Sequence, residues 1–131
     1  INNGVVAYVE PMDGDKVFNG PAIAISGLGH ATVHTGAFLP KGNGGDSLTI
    51  LIPKKQMPLA QLIGAAASFN ALHSWRFSFG RKCSKPRLSN LEIPFPPADI
   101  ASHVMGDINQ LHKLVEDFVA AALPQDSDTA V

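Results

Sequence analysis

The side chains best suited to chemistry are gathered in one stretch, His73-Ser74-Trp75-Arg76-Phe77-Ser78-Phe79-Gly80-Arg81-Lys82-Cys83-Ser84-Lys85-Pro86-Arg87. It holds five of the ten Lys and Arg residues and the only Trp, and no acid follows until Glu92. Lys and Arg displace counterions from a phosphate backbone, while Ser, Thr and Asn donate to phosphate oxygens. Basic charge interleaved with aromatics and hydroxyls therefore suits a phosphate-tracking surface. Arg also reads guanine bidentately, and Asn or Gln does the same for adenine. Arg76, Ser78, Arg81, Lys82, Lys85 and Arg87 are the candidates in this stretch. The same composition also fits a core aromatic cluster beside a solvated turn, and Arg76, between Trp75 and Phe77, also fits an internal stacking role.

Two Gly-rich loops add short donors and a backbone that another molecule can approach closely. Gly27 to Thr32 contributes His30 and Thr32, and Lys41 to Asp46 contributes Lys41 and Asn43. Catalytic signals are weak by comparison. His30 and His34 have the spacing of two ligands on a helix, but their context is β-prone, and at strand rise they stand about 13 Å apart. Gly27-Leu28-Gly29 lacks the third Gly and the following helix of a dinucleotide fingerprint. Cys83 sits among Arg81, Lys82 and Lys85, which favours a thiolate, yet no base stands beside it in the sequence. The acids are scattered, and no carboxylate pair suits acid/base work. No catalytic residue, metal site or cofactor is expected.

These residues must be positioned by a chain of 131 residues, enough for one domain with its own core. Apolar residues make up 45% and charged residues 16%, which argues for a folded globule rather than disorder. The net charge of −1 predicts no polyanion partner, but its distribution is uneven. Residues 98–131 carry six acids against Lys113, opposite in sign to residues 76–87. A lone Cys excludes a disulfide framework, and no apolar run approaches the roughly 20 residues that span a bilayer. A reducing, cytoplasmic setting without a membrane partner is the expectation. Opening at Ile1 on a turn-and-strand signal, the chain reads as part of a longer polypeptide.

Val5 to Val9, Ala22 to Ile25, Val33 to Leu39 and Ser47 to Ile52 read as four short strands separated by Gly-rich turns. The composition then changes. Leu59, Leu62, Ile63, Ala66, Phe69 and Asn70 recur at helical spacing, so 58–74 reads as a helix packed on the sheet. Leu91 to Phe95 reads as a short edge strand ended by prolines. From Pro96 onward, Ile100, Val104, Ile108, Leu111, Val115, Phe118 and Ala122 follow at spacings of 4, 4, 3, 4, 3 and 4. That is an apolar stripe of about two and a half heptads, suited either to packing on its own domain or to a partner helix. The expected fold class is α+β: a small antiparallel β meander or barrel-like sheet with a packed helix, followed by a long C-terminal helix. The division is 1–97 for the α+β domain, 98–123 for the helix and 124–131 for a flexible tail.

The order of these features resembles the target recognition domain of restriction-modification enzymes. The resemblance is carried by Asn3-Gly4-Val5-Val6-Ala7-Tyr8-Val9, Ala22-Ile23-Ala24-Ile25, Thr35-Gly36-Ala37-Phe38, the strand from Ser47 to Ile52, Trp75-Arg76-Phe77-Ser78-Phe79-Gly80-Arg81-Lys82, and Leu88-Ser89-Asn90-Leu91-Glu92-Ile93-Pro94-Phe95-Pro96-Pro97. It is similar both to recognition domains that accompany N6-adenine DNA methyltransferases in combined restriction-methylation enzymes and to type I specificity subunits. The resemblance implies sequence-specific recognition of double-stranded DNA by a domain with no catalytic residues of its own. No Asn-Pro-Pro-Tyr-type motif is present, so N6-adenine methyltransferase and nuclease parts are expected elsewhere in the polypeptide or as subunits. It further implies that the helix after Pro97 packs on a partner helix; on the periodicity of the stripe, Ile100, Val104, Ile108, Leu111, Val115 and Phe118 are the candidates for that interface or for a helix-mediated oligomer. A small-ligand or protein-binding β module is the alternative.

Overall fold

The computed structural model describes residues 4–40 and 48–122, and the fold is α+β. Its strands are β1 (Phe18–Asn19), β2 (Ala22–Ile25), β3 (Ala31–His34), β4 (Ala37–Phe38) and β5 (Thr49–Leu51). Its helices are α1 (Leu59–His73), extended by a 3-10 turn at Ser74–Arg76, then α2 (Lys85–Leu88) and α3 (Ala98–Ala122). The expected tail, and the loop from Lys41 to Asp46, lie outside the described residues.

All pairing is antiparallel. β1 and β4 form a two-stranded ribbon, and the three-stranded sheet runs β3-β2-β5. The two pieces share one register. Phe18 faces Phe38 and Asn19 faces Ala37, then Ala22 faces His34 and Ile25 faces Ala31. They are one long hairpin whose ladder lapses at Pro21, which has no N–H to give, while Gly20 N–H still reaches Gly36 O at 3.0 Å. The expected strand from Val33 to Leu39 is therefore divided at Thr35-Gly36. The sheet does not close into a barrel, because three strands are too few to curl onto themselves.

α1 packs across one face of the sheet. Ile23, Ile25, Ala31, Leu62, Ala65, Ala66, Phe69, Phe77, Cys83 and Leu88 form the core. Apart from His73 in its last turn, α1 carries no ionisable side chain, which fits a helix covered on more than one side. On its far side lies the segment before α3. A side chain on Gly64 would place its Cβ 2.4 Å from Pro96 Cγ, so the missing Cβ lets that segment seat, and Gln61 Nε2 donates to Pro96 O at 3.1 Å. Asn70 reaches the sheet's open edge: its Oδ1 accepts from Ala31 N–H at 2.7 Å and its Nδ2 donates to Ala31 O at 2.9 Å. One side chain thus takes the place of a neighbouring strand at β3.

Two expected strands do not form. Val5 to Val9 lies without regular structure and walls a cleft instead, leaving Val6 and Tyr8 exposed. Leu91 to Phe95 is also irregular, since prolines remove ladder donors and the segment rests on α1 rather than at a sheet edge.

Candidate nucleic-acid interface

The β2–β3 turn and the basic stretch are built against each other. Ser26 N–H bonds to His30 O at 2.9 Å, Gly29 N–H to Ser26 O at 2.9 Å, and His30 N–H to Ser26 Oγ at 3.2 Å. Gly29 sits at φ +80°, and a Cβ there would lie 2.4 Å from Phe77 Cδ2. Only glycine meets both demands. Cys83 N–H then donates to Gly27 O at 2.7 Å. Phe77, stacked on Phe69 at 6.3 Å, and buried Cys83 therefore anchor both ends of the segment 78–82.

Between those anchors Ser78 and Arg81 exchange backbone hydrogen bonds of 3.1 and 3.0 Å, closing a two-residue turn with Phe79 and Gly80 at its tip. Phe79 is 80% exposed and Trp75 is 72% exposed. Among the described residues nothing lies within 4 Å of a Cβ built on Gly80. Ser78 and Arg81 are exposed beside it, Lys82 is half-buried, and Lys85 is exposed at the start of α2. Arg81 and Lys85 have no carboxylate partner among the described residues. From residue 47 to residue 91 the sequence carries seven cations and no acid. This is the one long stretch of the chain with a strongly positive balance, and a rigid turn displays part of it.

Two of the candidate arginines also have internal duties. Arg76 lies 4.7 Å over the Trp75 ring, and its Nε–H donates to His73 Nδ1 at 3.2 Å. Because arginine can only donate, His73 Nδ1 accepts and Nε2 carries the hydrogen that reaches Glu92 O at 2.8 Å. Arg87 Nη1 donates to Lys82 O, bracing the end of the stretch. Each guanidinium keeps further donors for an outside partner.

The remaining candidates are divided. His30 is exposed on the β2–β3 turn, next to the basic segment. Thr32 is buried, with Oγ1 2.8 Å from His34 Nε2 and 3.4 Å from Ala24 O, so it looks onto the cleft rather than the outer surface. Strand alternation in the sequence carries that information: Ala31 and Val33 face α1, which turns Thr32 and His34 to the other side. Lys41 and Asn43 lie outside the described residues. Phe79 is not among the sequence candidates, although a Ser-Phe-Gly-Arg turn within a basic run is a signal that such a ring stands outside.

The cleft on the sheet's second face measures about 690 Å³. Val5 to Val9, Phe38 and Leu39 supply apolar walls, and Ser26, His30, Thr32 and His34 supply polar groups. Burial lowers the pKa of His34 below its ordinary 6.5, and its ring stacks on Phe38 at 4.8 Å. Cys83 is buried. Burial raises its thiol pKa, and Arg87 only partly offsets that shift. No group of three or more His, Cys, Asp or Glu suited to a metal ion occurs among the described residues.

α3 carries the second candidate surface. Of its 25 residues only Ala101 is buried. Ile100, Val104, Ile108, Leu111, Val115 and Phe118 are between 45% and 74% exposed, so the stripe is not spent on the chain's own domain. No described helix is long and apolar enough to cross a membrane. No protein-family model, curated protein or solved structure matches the chain.

Proposed function

We propose that this chain is a double-stranded DNA recognition module of a restriction-modification enzyme. It directs N6-adenine methyltransferase and nuclease parts that reside elsewhere in the polypeptide or in partner subunits, and it carries no catalytic residues itself. The observation that carries the reading is the anchored basic turn. Arg81, Lys85 and the remaining donors of Arg76 and Arg87 share one acid-free stretch with the exposed rings of Trp75 and Phe79, and the turn of that stretch is fixed beside the His30 turn. Cations supply affinity for phosphates, and a fixed backbone sets the register in which side chains meet base edges. The exposed stripe of α3 is the surface by which the module docks to a partner helix or to a second copy. Its setting is the reducing cytoplasm, in keeping with a single buried thiol.

The test is a selection from random-sequence duplexes, with binding followed by fluorescence anisotropy at about 50 and about 200 mM salt. Salt-sensitive binding that enriches a short motif is the expected result. Binding without enrichment would reduce the module to a non-specific one, and no binding at the lower salt, by the chain alone and with a methyltransferase partner, would overturn the reading. A small-ligand module remains the second reading, favoured by the cleft with Ser26, His30, Thr32 and His34 along one wall. It predicts binding that is nearly independent of salt, and loss of that binding on His34→Ala.

A further inference from the structure

Phe79 is an apolar ring that the fold leaves outside its core. Its ring is almost wholly in water, while Phe77, two residues earlier, is buried and stacked on Phe69. The turn that holds it is rigid: Ser78 and Arg81 bond to each other in both directions, and Phe77 and Cys83 fix the chain on either side. Among the described residues nothing lies within 4 Å of a Cβ built on Gly80, beside the ring in sequence. The residues that follow it are cationic, with Arg81 next but one in sequence, then Lys82 and Lys85.

An exposed ring on a rigid, positively charged tip is the arrangement that unstacks a duplex. The cations hold phosphates on each side of a base step, and the apolar ring enters the step and gains burial in exchange for lost stacking. We infer that Phe79 is a wedge that inserts between adjacent base pairs of bound DNA and kinks or opens the duplex there. This rests on the DNA-recognition reading and extends it from electrostatic contact to deformation of the target. Specificity then arises partly from steps that are easy to unstack, since the energy of deformation depends on the sequence deformed.

The wedge is tested with two fluorescein-labelled duplexes of about 20 base pairs, one fully paired and one with a central two-nucleotide bulge, where stacking is already broken. The full 131-residue chain should bind the bulged duplex about tenfold more tightly, because the protein no longer has to break the stack. Phe79→Ala should bring the two affinities to within about twofold while leaving the salt dependence on the paired duplex unchanged, since no charge is removed. Phe79→Trp should restore the preference. Exposure of the ring makes Phe79→Ala neutral for folding, which far-UV circular dichroism verifies. Salt-sensitive binding with equal affinity for both duplexes would overturn the wedge and leave the recognition reading standing. A preference for the bulge that survives Phe79→Ala would overturn it too, and failure to bind either duplex at low salt, by the chain alone and with a methyltransferase partner, would overturn both.

Discussion

Removal of Arg81 and Lys85 together should change how binding to DNA depends on salt, and the size of the change follows from the placement of the charges. Five cations lie between residues 76 and 87. Arg76 and Arg87 each give one donor to the chain's own groups but keep others, whereas Arg81 and Lys85 are exposed and have no acid partner among the described residues. With four phosphates neutralised, log K falls with log salt at a slope of about −3.6, so a rise from about 50 to about 200 mM salt weakens binding about 150-fold. Arg81→Ala with Lys85→Ala leaves two contacts, a slope of about −1.8, and only about a 12-fold loss over the same interval. The variant's deficit should therefore shrink about twelvefold as salt rises. Anisotropy titrations of a labelled duplex at four salt concentrations give both slopes, and Lys113→Ala on α3 serves as the control that moves neither. Both side chains are exposed, so the substitutions leave the core intact. An unchanged slope in the double variant would show that the basic turn is not where phosphates bind.

Asn70→Ala should destabilise the fold by about 1–3 kcal/mol, because the N–H and C=O of Ala31 lose the lateral partner they have among the described residues, in a part-buried place. Urea unfolding measures it, and a loss below about 0.5 kcal/mol would mean that water replaces the amide without cost. His34 has a folded pKa below its unfolded value of about 6.5, so the unfolded chain takes up a proton that the folded chain resists. Its contribution to stability is fully present above that value and is lost as pH falls below it, towards the lower folded pKa. His34→Gln should flatten the pH dependence of the urea midpoint in that window, and an unaltered profile would place the dependence on other groups. Leu111→Glu with Phe118→Glu, two exposed positions on α3, should abolish any species larger than the 13.8 kDa monomer in light scattering, and a monomeric wild type at high concentration would reserve the stripe for a different partner.

What could be read in the sequence and what could not divides along a physical line. α1 and α3 were legible nearly to the residue, because helical periodicity, Pro58 and the Pro96-Pro97 pair are local signals, and Ala22-Ile23-Ala24-Ile25 announced a strand covered on both faces. Val5 to Val9 and Leu91 to Phe95 have strand-like composition but no place in either sheet. Strand formation needs a free edge, which no stretch can reveal by itself, and the prolines of the second segment forbid most of the ladder in any case. The four-residue α2 is too short for periodicity, although Ser84 before Lys85-Pro86 is a start signal that could have been used.

The site follows the same division. Its charge was legible because charge is a property of composition: the cations between residues 76 and 87 are simply present, with no acid among them. Which aromatic faces in and which faces out was not. Strand alternation alone would put Phe77 and Phe79 on one face, but the chain reverses at Phe79-Gly80, so one ring enters the core against Phe69 and the other is left at the tip. That reversal depends on Gly29, distant in sequence, whose missing Cβ admits Phe77, and on Gly27, whose carbonyl fixes Cys83. The turn that displays the cations is thus held by the turn that displays His30, and neither can be repositioned without the other. A surface made of two interlocked turns presents its groups in one fixed arrangement, which is what reading a base sequence demands and what attraction to phosphates alone does not.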